Sequence, residues 1–155
     1  RLIAAYLIGT SIKKDYFNDI KPMYSPAENK GYVTWNTFRK NKKPRKNIDP
    51  AYFSWKNNSV VVNPITWDNS NKTNFSQHMG LLFYDTNIYP QSIKISVEDG
   101  IIWSNVPRKI PKRILLSLIK NYHVGDINFF WKDISENAVI RTQNFYNLSS
   151  KNIKL

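Results

Sequence analysis

The chain contains no cysteine. Disulfides, thiolate nucleophiles and cysteine metal sites are excluded together, while the redox compartment stays open. Histidine is almost as scarce, with only His78 and His123. A dedicated zinc site would need both plus carboxylates, and their spacing matches no common zinc pattern, so no metal and no other cofactor is expected. The five glycines form neither a P-loop nor a G-x-G-x-x-G, and there is no H-E-x-x-H. Around Gly9, "IGTSI" has the first Gly and the Ser11 of a nucleophile elbow, but Ile12 and Lys13 follow. No run of about 18 apolar residues is present, so no membrane span is expected. The segment starting at Arg1 lacks the charged, apolar and small-residue regions of a secretory signal. An apolar strand at the very first residues suggests that sequence is missing upstream.

Acidic residues are also few, 11 against 23 Lys and Arg, for a net charge of +12. That balance invites an anionic partner. The charges are scattered, however, and the abundance of Lys, Asn and Ile fits the codon bias of an AT-rich genome. The one true cluster, "RKNKKPRK" at Arg39 to Lys46, lies in a loop containing Pro and Asn and reads first as a solvated loop. No nucleic-acid motif accompanies it, so nucleic acid is not the expected partner.

What is present is apolar and aromatic. With 155 residues, 41% hydrophobic and 14% aromatic, the chain reads as one domain with a real core. Leu2 to Ile8 reads as a strand buried on both faces, and Ser59 to Val62 as a second one, stopped by Asn63-Pro64. Between them, residues 13 to 58 mix Lys, Asn and Pro with many aromatics and read as a lid-like insertion. "MGLLFYD" is a further apolar segment. "SIKISVEDGIIWSN" reads as a hairpin around Glu98-Asp99-Gly100. "PKRILLSLIK" predicts a helix with Pro111 in its first turn and Leu115, Leu116 and Ile119 on one face. A terminal amphipathic helix is expected from about residue 127. Phe130, Trp131, Ile134, Ala138 and Phe145 form its apolar stripe, Lys132, Glu136 and Arg141 lie outside it, and Asp126 stands at the cap. The expected class is α/β with a mostly parallel sheet.

Three residues are candidates for chemistry. His123 lies in a loop before the last helix, where a neutral imidazole could act as general base if a carboxylate orients it; a surface histidine at a helix entry is the plainer alternative. Asp126 could be that carboxylate, although capping alone accounts for it. Asp68 follows the second strand, as a triad carboxylate would, and turn chemistry in "WDNSN" explains it equally well. His78, in "FSQHMGLL", reads as a packing or loop residue.

In order along the chain, "RLIAAYLIG", "GYVTWNTF" with "VVVNPITW", and "YHVGDINFFWKDISENAVIRTQNFY" resemble the carboxyl-terminal half of a bacterial α/β-hydrolase-superfamily group, lipase- or esterase-like, carried mostly as a domain of unknown function. The resemblance runs from Arg1 to about Tyr146. It implies that Ala4 to Gly9 follow the nucleophile helix and that Val62 to Trp67 end the next core strand. It makes His123 the triad base, places Asp126, Asn137 and Arg141 in the pattern of the closing helix, and leaves the acid between Asp68 and Asp126. The fold implied is a partial α/β-hydrolase-like sheet with a lid-like insertion and a C-terminal amphipathic helix. The substrate implied is a small ester or other acyl compound, with an extracytoplasmic (periplasmic or secreted) setting slightly favoured. The nucleophile elbow and oxyanion loop would lie upstream of Arg1, so this chain alone is expected to be inactive by that mechanism, with the N-terminal half of the same protein as its partner. The competing expectation is a non-enzymatic module in which the basic, aromatic stretch from Lys13 to Lys56 binds nucleic acid or polysaccharide.

Overall fold

The computed structural model describes residues 2–122 and 125–151. Strand β1 (Ala4–Tyr6) pairs in parallel with β2 (Gly31–Val33), Ala5 opposite Tyr32. The pairing continues past both strands, Leu7 N–H donating to Val33 O and Gly9 N–H to Trp35 O. Next come β3 (Thr37–Arg39) and a short antiparallel pair, β4 (Leu81–Leu82) with β5 (Ile88–Tyr89). β6 (Ile95–Glu98) and β7 (Ile101–Ser104) form an antiparallel hairpin, and β3 lies parallel to β7, giving the order β3-β7-β6. The helices follow: α1 (Arg113–Leu118), α2 (Asp126–Phe129) and α3 (Trp131–Lys151). The class is α/β in the broad sense. The expected mostly parallel sheet gives way to three small sheets, with two parallel and two antiparallel pairings among the described residues.

The hairpin is where local chemistry and fold agree best. Asp99 and Gly100 both take left-handed backbone, φ 56° and 81°, as a two-residue turn between twisted strands requires. A Cβ on Gly100 would also lie 2.4 Å from Ser54 O, so only glycine fits.

Elsewhere tertiary contacts redraw the elements. β1 is shorter than the expected Leu2 to Ile8 strand and is half-buried rather than covered on both faces. The expected strand at Ser59 to Val62 reduces to a single antiparallel bridge between Ser59 and Lys13. Val60 N–H donates to Ile12 O and Val62 N–H to Thr34 O, so successive bonds go to different segments. Residues 13 to 58 contribute β2, β3 and three fully buried rings, Tyr32, Trp35 and Phe38, so the middle of the lid-like insertion is core. α1 spans only six residues. Pro111 precedes it, Lys112 is left-handed at φ 50°, and the expected buried face is mostly open, with Leu115 59% exposed.

The main core is built on Trp35. Its ring meets Trp67 edge-on at 5.9 Å and Phe130 at 6.0 Å, arrangements worth about 0.5–1.5 kcal/mol each beyond area burial. Ile95 and Ile102 face this core from one side of the β3-β7-β6 sheet. Phe38 and Ile101 face a smaller one on the other side, with Ala51 and the half-buried Trp55 and Trp103. No helix among the described residues is long and apolar enough to cross a membrane.

Candidate active site

An open cleft of about 360 Å³ lies where β4 meets the segments around α1 and α2. Leu81, Leu82 and Phe83 form one wall and Leu116 and Ile119 another. Tyr122, Gly125 and Phe129 close it. The walls are held by specific contacts. Tyr122 and Phe129 stack tilted at 4.9 Å, and the Tyr122 hydroxyl donates to Leu116 O at 3.1 Å, fastening the end of α1. Phe83 meets Tyr89 edge-on at 6.2 Å. Such a lining suits an apolar chain or ring, and a few polar groups at its edge, Asn121 and Asn128, could orient one.

The sequence candidates divide around this cleft. His123, with Val124, lies outside the described residues; its chain neighbours Tyr122 and Gly125 line the cleft. Asp126 is 1% exposed and adjoins Gly125. It is not the cap expected from the sequence: Gly125 takes that position, and Asp126 is the first helical residue. Its Oδ2 instead accepts from Thr37 N–H at 3.3 Å, reaching across to the start of β3. Asp68 belongs to a closed loop. Its Oδ1 accepts from Thr66 Oγ1 at 2.5 Å and Ser70 N–H at 2.9 Å, while Asn63 Oδ1 accepts from Ile65 N–H at 3.0 Å. Partial burial pushes the Asp68 carboxyl up, and the Thr66 and Ser70 donors more than offset it, leaving it below the usual range. Among the described residues no hydrogen bond or ion pair joins Asp68 to Asp126.

His78 is a buried structural residue, 1% exposed. Its Nδ1 accepts from Ser92 N–H at 3.2 Å, so Nε2 carries the proton and donates to Phe129 O at 2.8 Å. Burial holds its pKa below the ordinary value, and the Phe129 contact only partly offsets this. Asp133 Oδ2 stands 3.7 Å from Nε2, near enough for an ion pair, but the ring proton points to Phe129 and the ring is neutral. Burial pushes the Asp133 carboxyl up to about 7, against the Met79 and Gly80 N–H groups that donate to it. His78 and Asp133 therefore form the rear support of the cleft, fixing the turn before β4 and the end of α2.

Asp133 begins a buried polar stripe that the sequence reading missed. Asp133, Asn137 and Arg141, four residues apart along α3, are each no more than 1% exposed. Arg141, expected on the solvent side, is fully buried. Its Nε donates to Asn137 Oδ1 at 2.7 Å and its Nη1 to Glu28 O and Met23 Sδ. Tyr6 OH also donates to Asn137 Oδ1, at 2.7 Å, and Asn137 Nδ2 donates to Pro26 O at 2.9 Å. Burial lowers the Arg141 pKa and raises that of Tyr6, where the nearby guanidinium only partly compensates. The regular spacing of three polar residues was the available signal, but polar spacing on a helix ordinarily marks the wet face. Arg141 ties α3 to the loop before β2 and is far from the cleft walls in sequence and role.

Among the described residues no group of three His, Cys, Asp or Glu side chains is placed to hold a metal ion. No family model, curated protein or solved structure matches the chain.

Proposed function

We propose that the chain is the carboxyl-terminal part of a serine hydrolase-like enzyme, contributing the triad histidine His123 and the pocket for the acyl group of an ester. The observation that carries the reading is the apolar cleft, whose wall includes both Tyr122 and Gly125, either side of the His123–Val124 pair in the chain. The only other histidine, His78, is buried with both ring nitrogens engaged and is unavailable as a base. We assign Asp126 as the carboxylate partner of His123, because Asp68 is committed to its own loop.

In this mechanism His123 accepts the serine hydroxyl proton as that oxygen attacks the acyl carbon. It then returns the proton to the departing alcohol, and water repeats the cycle to release the acid. Asp126 fixes the imidazole tautomer. The serine and oxyanion donors come from the N-terminal half of the same protein, completing an α/β-hydrolase-like sheet. The parallel β1–β2 and β3–β7 pairings are consistent with such a sheet. Among the described strands β1 pairs only with β2, and in this reading a preceding strand pairs along its other edge.

Hydrolysis of short- and long-chain p-nitrophenyl esters by the intact protein tests the reading. A His123→Ala variant is expected to lose about 10⁴-fold or more in kcat with its fold intact by circular dichroism. Wild-type rates in that variant would sink the proposal.

A further inference from the structure

On the opposite face of the β3-β7-β6 sheet from the main core lies a second, different surface. As β3 ends, Lys40 N–H donates to Ser104 O at 2.8 Å and carries the ladder one residue further. The basic cluster therefore leaves the sheet beside Trp103. A depression of about 370 Å³ opens there, with Lys40, Lys42, Lys43 and Lys56 around Trp55 and Trp103. A second, of about 210 Å³, adjoins it and adds Lys72 and Lys94. Lys40, Ser96 and Trp103 line both, so the two form one groove.

The groove is charged but not self-neutralised. Among the described residues none of its six lysines is ion-paired, and the only carboxylates lining it are Glu98 and Asp99. Its aromatic floor is fixed: Trp103 Nε1 donates to Glu98 O at 3.2 Å, and Trp55 stands edge-on to Trp103 at 6.5 Å. Six ammonium groups without carboxylate partners, two of them resting over rings (Lys56 on Trp55, Lys94 on Phe75), repel one another, and a polyanion would relieve that repulsion.

We propose that this groove binds an acidic polysaccharide, a chain of sugar rings bearing carboxylates. Lysines meet the carboxylates as point charges, and the half-buried Trp103 offers an indole face to the C–H side of a sugar ring. The choice against a single nucleic-acid strand rests on the two carboxylates. Among the described residues no protein group donates to the exposed carboxylates of Glu98 and Asp99, which can accept from the hydroxyls that a sugar supplies at every unit. A phosphodiester chain would bring more negative charge to the same place. The site is separate from the ester cleft and stands or falls independently of it.

Tryptophan fluorescence of the intact protein, titrated with oligogalacturonate at low salt, tests the site. Quenching is expected to saturate, to weaken steeply with added salt, and to fall at least about tenfold in affinity when the oligomer is fully methyl-esterified. The exposed double variant Lys40→Gln/Lys94→Gln is expected to lose about tenfold in affinity with an unchanged unfolding midpoint. The proposal is overturned if the methyl ester binds as well as the acid, or if the double variant binds like the wild type. It is also overturned if oligothymidine binds more tightly than the uronate, which would make the groove a nucleic-acid site.

Discussion

The cleft beside β4 and the groove over β7 are of opposite character, although the cleft and the larger depression of the groove are of similar volume. The cleft draws its walls from three separate stretches of apolar chain and stands on a buried polar support. The groove is drawn mainly from one basic stretch and a hairpin, and among the described residues its lysines have no carboxylate partners. The first suits a neutral acyl group removed from water and the second an anionic chain held at the surface. A cleft of the first kind depends on shape, and a groove of the second kind depends on charge and salt.

The sharpest way to break this contrast is to charge the cleft. Leu82→Lys would place an ammonium in the apolar wall, where an unpaired charge is costly. Hydrolysis of long-chain esters is expected to fall about 100-fold, with short-chain esters affected less. Uronate affinity should stay unchanged, and a matching loss of both in parallel assays would show that the two regions are not independent.

The next effect concerns the support behind the cleft. The Asp133 pKa is raised from 3.8 to about 7, so the folded state holds its proton more tightly than the unfolded chain. That contribution is full below pH 3.8 and is lost as pH rises through 7, a swing of roughly 4 kcal/mol at 1.36 kcal/mol per unit. His78 acts in the opposite sense. Its depressed pKa contributes stability above 6.5 that is lost as pH falls. Comparison of urea unfolding of wild type and Asp133→Asn from acid to neutral pH separates the two. The wild type should lose stability relative to the variant as pH rises, and parallel curves would show that Asp133 is not protonated in the fold.

The polar stripe gives a somewhat smaller effect. Arg141→Met keeps much of the volume but strands Glu28 O, at about 1–3 kcal/mol, and leaves Asn137 Oδ1 with Tyr6 OH as its remaining donor. Chemical denaturation should report the loss, with uronate affinity at the distant groove unchanged. The smallest effect belongs to the exposed Lys132–Glu136 pair at 2.5 Å on α3. Lys132→Ala should change stability by no more than about 0.5 kcal/mol, measurable by the same unfolding curves.

These contrasts also separate what was legible from what was not. The β6–β7 hairpin could be read directly, since Asp99-Gly100 is the kind of pair that tolerates two left-handed residues. The long closing helix was legible from its apolar spacing, but its interruption at Phe130 was not, because no proline or glycine marks the break there. The fate of Arg141 was hidden for a similar reason. Its acceptors at Met23, Glu28 and Asn137 lie mostly more than a hundred residues away, and nothing local marks them. The basic cluster was visible as charge, but its grouping with Lys72 and Lys94 around Trp103 depends on the β3–β7 register.

The sequence alone determined the absences, no thiol chemistry and no common zinc pattern, together with the apolar periodicities and the one turn whose backbone only a few residues tolerate. Those are local properties, set by side-chain type and by φ and ψ within a few residues. Tertiary structure decided which histidine is locked in the interior, which polar face of α3 is dry, and that residues from 81 to 129 enclose a cleft. Burial and hydrogen bonding depend on partners brought together by folding, and no spacing along the chain encodes them.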